Sequence, residues 1–184
     1  MKARAMIPLL IAMGLTLACS SSLDESLQGA SSISGQVQGH SFELQDTVVK
    51  LFPGSRLFLV LSSAGALCLD YEAAGGFLQH KSETSLVLEV RFAGPPTTGT
   101  FPIDPFAPAS TSHASGQFTV NDATCGQAFL QKADGGGTVT LTKLDDSEVA
   151  GTFDVKFNGG GSLQGSFHRT PCPDFVDRNA PGCK

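Results

Sequence analysis

Tryptophan is absent from this 184-residue chain, tyrosine occurs once, and lysine and arginine together number only 12. The basic residues never cluster, and against 17 Asp and Glu the formal charge is −5. The electrostatic term that dominates nucleic-acid binding would be repulsive, so no nucleic-acid partner is expected. Long apolar runs are missing as well. The run from Ala5 to Ala18 has 14 residues and is interrupted by Pro8 and Gly14, whereas a membrane-crossing helix needs about 20. No two cysteines and no two histidines stand two to four residues apart. That excludes the local spacings of zinc sites and HExxH motifs, and neither a metal nor a cofactor is expected.

What is present at the start is an export signal. Lys2 and Arg4 precede the apolar run, which closes on Leu15-Thr16-Leu17-Ala18-Cys19. A positive segment, a short apolar segment and a small residue before the cut define a signal peptide over residues 1–18. The segment ending in Cys19 resembles the lipobox of bacterial lipoproteins, with Thr16 where leucine is usual. The resemblance implies that Cys19 is the lipidation site. Its thiol accepts diacylglycerol, acyl chains such as palmitate follow, and it becomes the new N-terminus. Each buried methylene contributes about 0.8 kcal/mol, so two or three chains hold the protein on a membrane almost permanently. Ser20 in place of aspartate implies sorting to the outer membrane, facing the periplasm or the outside.

Without residues 1–18 the chain keeps 166 residues and a formal charge of −7. Residues 19–32, rich in serine, read as a flexible tether, and residues 33–184 as one β-rich domain with a cysteine-containing tail. The full chain's 21 glycines, 10 prolines and 13 phenylalanines describe a turn-rich sequence with a phenylalanine core. The expected class is all-β and mainly antiparallel, a sandwich or barrel-like fold. Setting Cys19 aside leaves four cysteines, Cys68, Cys125, Cys172 and Cys183, enough for two disulfides in an oxidising compartment. Three pairings are possible. The preferred one joins Cys172 to Cys183, closing the proline-rich tail, and Cys68 to Cys125.

Along the chain, Ile33 to Val37, Phe42 to Leu44 and Val48 to Phe52 read as one long or bent strand interrupted at Gly39. Pro53-Gly54-Ser55 makes a turn, and Leu57 to Ser62 is a buried strand. Residues 67–74 suit either a strand or a short helix ended by Gly75-Gly76, and the helix is preferred. Ser85 to Phe92 is a strand with Leu86, Leu88 and Val90 on one face and Val87, Glu89 and Arg91 on the other. The proline-rich stretch 94–115 is mostly loop, with a short strand at Gly99-Thr100-Phe101; Gln117 to Val120 and Ala128 to Gln131 follow. Thr138 to Lys143, Val149 to Phe157 and Leu163 to His168 form a meander in which Phe153, Val155 and Phe157 face inward. The triplets at Gly99, Gly151 and Gly165 repeat a Gly-x-Phe pattern, read as glycines that let a neighbouring backbone or ring come close. The C-terminal meander, together with the lipobox, resembles uncharacterised cell-envelope lipoproteins of Gram-negative bacteria. That likeness implies a fold and a location and brings no catalytic residues.

No local constellation supports catalysis. Gly39-His40-Ser41-Phe42-Glu43 has Glu43 where a nucleophile elbow needs its second glycine. His40, His80, His113 and His168 are scattered and read as surface or loop residues. Asp145, Asp146 and Glu148 form an acidic turn without the frame of a calcium loop. Gly135 to Gly137 and Gly159 to Gly161 lack the Lys-Ser/Thr of a phosphate cradle. The expectation is therefore a lipid-anchored envelope protein with a non-enzymatic binding or structural role toward an envelope partner. The alternative is a lipocalin-like carrier of a small apolar ligand.

Overall fold

The computed structural model of the chain describes residues 31–176 and 178–184; the expected signal peptide, the expected lipidation site Cys19 and the expected tether up to residue 30 lie outside the described residues. Its framework is two antiparallel sheets packed face to face. One sheet contains β1 (Ser32–Val37), β2 (His40–Ser41), β7 (Gly99–Pro102), β10 (Gly137–Leu144), β11 (Val149–Lys156) and β12 (Gly161–Arg169), in the order β2-β1-β12-β11-β10-β7. The other contains β3 (Asp46–Phe52), β4 (Arg56–Ser62), β6 (Thr84–Arg91), β8 (His113–Asn121) and β9 (Gln127–Lys132), in the order β3-β4-β6-β8-β9. Helix α1 (Leu67–Ala74) and a two-stranded parallel pair, β5 (Phe77–Gln79) with β13 (Asn179–Cys183), complete the described elements. The fold is the sandwich of the two architectures expected, not a closed barrel.

Alternation places the main core. Phe153 and Val155 of β11 are buried while Thr152, Asp154 and Lys156 are exposed, and Leu86, Leu88 and Val90 of β6 are buried opposite them in the second sheet. Phe118, Phe157, Leu163 and Phe167 fill the space between. Burying each such side chain contributes about 1.5 to 3 kcal/mol. The strand β4 is buried on both faces because it serves two cores. Leu57, Leu59 and Leu61 join the main one, whereas Phe58 and Val60 join Val48, Phe52, Leu67, Tyr71 and Phe175 in a second. Such two-sided burial is why β4 reads as a continuous apolar run rather than an alternating one.

The Gly-x-Phe repeat has a reciprocal geometry. In the register of β11 with β12, Phe153 lies opposite Gly165 and Gly151 opposite Phe167. A Cβ at Gly165 would stand 2.7 Å from the Phe153 ring and 2.0 Å from the Ser32 carbonyl oxygen. Each glycine thus vacates the space that the opposing ring crosses. Gly165→Ala is expected to lose about 1 to 3 kcal/mol, because backbone rather than a flexible side chain must move. Urea unfolding measures this, and an unchanged midpoint would show that the strands separate without cost.

Two local readings need correction. The segment from Ile33 to Phe52 is not one bent strand. Gln38 and Gly39 both take positive φ, 49° and 84°, turning β1 back on β2 as a hairpin, and residues 42–45 then carry the chain to the opposite sheet. The disulfides also differ from the preferred pairing: Cys68 joins Cys172 and Cys125 joins Cys183. The tail does not close on itself. Cys172 N–H donates to the Val49 carbonyl and Phe77 N–H to the Arg178 carbonyl, so the tail runs back across α1 and adds β13 beside β5. The helix occupies 67–74 as expected. Its first N–H, from Leu67, is accepted by Asp46 Oδ2 at 2.9 Å, a cap supplied from β3 rather than from the helix itself. Gly75 ends it in the left-handed conformation.

Candidate functional site

The outer face of the five-stranded sheet is divided by its own sequence. Over β3 and β4 it is apolar, with Val48, Phe52, Phe58 and Val60 covered by α1, β5 and Phe175. Toward β6, β8 and β9 it becomes polar, and Glu89, Gln117, Thr119 and Lys132 are only partly buried or exposed. A groove of about 690 Å³ lies along this boundary. Phe58, Val60, Tyr71, Phe77 and Val87 line it on the apolar side. Glu83, Glu89, Gln117, Thr119, Asn121 and Lys132 line the polar side, with Gln79 and Asn179 on the β5 and β13 wall. The Cys125–Cys183 disulfide links that wall to the turn between β8 and β9, fixing the two banks to each other.

Beneath one end of the groove lies a buried polar network. His80 Nε2 is 2.8 Å from Asp70 Oδ2, and Lys184 Nζ donates to the other Asp70 oxygen. Ser62 Oγ donates to Glu83 Oε1 at 2.5 Å, the His80 N–H donates to Glu83 Oε2 at 3.2 Å, and Asn121 Nδ2 donates to the His80 carbonyl at 3.3 Å. His80 Nδ1 stands 3.5 Å from Glu83 Oε2 without hydrogen-bond geometry. Burial alone would raise the Asp70 carboxyl, but hydrogen bonds from Lys184 and His80 outweigh it and hold Asp70 below the ordinary carboxylate range. Burial, with Glu83, Asp46 and Asp70 adding to it, drives the Tyr71 phenol far above its ordinary range. In this cluster the serine faces a glutamate rather than the imidazole, and its atoms are spent tying α1, the C-terminus and β8 together. It is a structural node with the residue types, but not the arrangement, of a nucleophile and its base.

The residues singled out from sequence distribute differently. His40 is exposed, with its ring tilted against that of Phe129, and His168 pairs with Glu148 at 2.6 Å. His80 and His113 are buried rather than surface residues; His113 Nδ1 meets the Thr111 carbonyl at 2.7 Å. In the acidic turn Asp145 Oδ1 accepts from the Ser147 N–H and hydroxyl and from the Glu148 N–H. Hydrogen bonds from Ser147 and Lys143 hold its carboxyl well below the ordinary range, and a solvated turn accounts for it. Cys68, Glu72 and Cys172 gather within 4.8 Å, but the two sulfurs are bonded to each other and offer no thiolate. Among the described residues no helix is long and apolar enough to cross a membrane.

The groove itself was missed by sequence reading. Alternation along β8 does mark Ser115, Gln117, Thr119 and Asn121 as one face, but a polar face ordinarily means solvent. The wall that makes it concave comes from residues 179 and 180, more than 50 positions further along the chain. Comparison with known protein families, characterised proteins and solved structures finds no match. What the geometry defines is a class: an antiparallel β-sandwich stapled by two disulfides, with a concave site on its outer face.

Proposed function

We propose that the protein is a lipid-anchored, non-enzymatic binding protein of the cell envelope that offers the outer-face groove to a ligand or envelope partner. The groove carries this reading. Its volume falls in the range of about 300 to 1,000 Å³ common for small-molecule sites, its lining combines apolar walls with a few convergent polar groups, and all of those groups except Glu83 sit on strands. A carrier holding its ligand between the sheets is less well supported, because Phe118, Phe153, Phe157, Phe167, Leu141 and Leu163 occupy that space. The non-enzymatic part rests on the arrangement of Ser62, Glu83 and His80, in which the serine hydroxyl is spent on the glutamate rather than the imidazole.

The anchor follows from the sequence ending in Ala18-Cys19. Cells expressing the full chain and fed a labelled fatty acid are expected to incorporate label into the wild type and none into Cys19→Ala. The variant should also leave the membrane fraction. Label retained on Cys19→Ala would refute the lipid anchor.

A further inference from the structure

The groove's lining also specifies a ligand class, an inference that rests on the binding reading above. Five carboxamide side chains line it: Gln79, Gln117, Asn121, Gln127 and Asn179. Hydroxyls from Ser85, Ser115 and Thr119 stand among them. A carboxamide presents an acceptor and two donors, and a hydroxyl serves as either, so this surface matches a partner whose own groups both donate and accept. Charge selects further. Of the two carboxylates in the groove, Glu83 is taken up by Ser62 and His80. Glu89 lies 2.7 Å from Arg91 Nε and 3.9 Å from Arg56 Nη1. Glu89 is ion-paired within the chain, and both Glu83 oxygens are occupied by hydrogen bonds from neutral donors. Lys132 is exposed at the edge, a single cation beside many neutral donors. The opposite bank presents Phe77 and Val87, which are partly buried, backed by Phe58, Val60 and Tyr71 of the second core.

We propose that the groove binds a neutral, polyhydroxylated ligand, a short stretch of saccharide. A pyranose ring has this same division. Its rim of hydroxyls donates and accepts, and its C–H face is apolar. The groove offers Ser115, Gln117, Thr119 and Gln127 on β8 and β9 for the rim, with Gln79 and Asn179 across from them, and Phe77 and Val87 on β5 and β6 for the C–H face. Two features preorganise it. The polar residues are held in strand register, with Gln117 Nε2 already donating to Thr119 Oγ1 at 3.2 Å, and the Cys125–Cys183 bridge keeps the banks from parting. Preorganisation limits the ordering cost of binding.

The test uses the full chain in detergent micelles, immobilised and probed with an array of neutral oligosaccharides, each hit then titrated by calorimetry. Oleate, hexalysine and inorganic phosphate are run as probes of the apolar, cationic and anionic classes. Gln117→Leu and Thr119→Val remove the hydroxyl-matching groups at nearly constant volume, and the near-UV signal of the sole tyrosine reports whether the fold is retained. Saturable binding of a neutral oligosaccharide, weakened about tenfold by each variant with that signal unchanged, is the expected result, since one lost hydrogen bond to a neutral group is worth about 1.4 kcal/mol or somewhat less. Saccharide binding that neither variant alters would overturn the groove as its site. Oleate, hexalysine or phosphate bound in the saccharide's place, and weakened by the same variants, would overturn the ligand class while the groove stands. Failure of every probe to bind would overturn both.

Discussion

Replacing Cys68 and Cys172 together by serine is expected to lower the unfolding free energy by about 4 to 5 kcal/mol. The bridge spans 104 residues, and closing a loop of about that length removes roughly 4.7 kcal/mol of chain entropy from the unfolded state. Replacing Cys125 and Cys183, separated by 58 positions, is expected to cost slightly less, about 4 kcal/mol on the same relation. The two variants should differ in kind as well as size. Cys172 belongs to the second core beside Leu67, Tyr71 and Phe175, so loss of its bridge loosens α1 and the tail over the apolar half of the sheet. Cys183 pins the wall of the groove, so loss of its bridge frees β13 while leaving both cores packed. Urea unfolding without reductant measures the stability change, and hydrogen exchange at residues 179–183 separates the two effects. Proteolytic peptides of the oxidised chain provide the direct check. A fragment linking Cys68 to Cys125 would overturn the connectivity, whereas Cys68 with Cys172 is the expected pair.

That connectivity shows where sequence reading stops. The meander from β10 to β12 was legible because neighbouring strands pair through short turns, and Phe153, Val155 and Phe157 alternate with polar residues within a single segment. The helix over 67–74 was legible from its glycine stop, although the carboxylate that caps it, Asp46, sits 21 positions earlier. The hairpin at Gln38-Gly39 was harder, since glutamine seldom takes positive φ and nothing local announces a reversal. The tail was not legible at all. With no alternation to assign it, the segment invites a bridge from Cys172 to Cys183 that closes the tail, yet the pull on it comes from Phe52, Phe58 and Tyr71, whose apolar faces Phe175 helps to bury. The groove inherits the same obscurity. One bank belongs to β8, readable as a polar face, and the other is made by a segment whose place is set by tertiary packing.

The largest pH effect is expected on the alkaline side, and Tyr71 is its source. Tyr71 is 3% exposed, so burial first and the charges of Glu83, Asp46 and Asp70 next raise its folded-state pKa far above that of a free phenol, about 10. A group raised on folding contributes stability that is fully present below its unfolded pKa and lost as pH rises above it. Above about pH 10 the unfolded chain sheds a proton that the folded chain keeps, and stability should fall with a slope approaching about 1.4 kcal/mol per pH unit. The sequence makes this directly readable: with one tyrosine and no tryptophan, every tyrosinate signal belongs to Tyr71. Absorbance should stay flat past the free phenol range and then rise in one step that coincides with loss of the β-sheet circular dichroism. A smooth titration centred near pH 10 with the sheet intact would show that water reaches the phenol. Tyr71→Phe should remove this alkaline contribution. Because Tyr71 also lines the groove, a ligand seated there and absent from the unfolded chain would move the absorbance step to higher pH by mass action, making the same residue a reporter of occupancy.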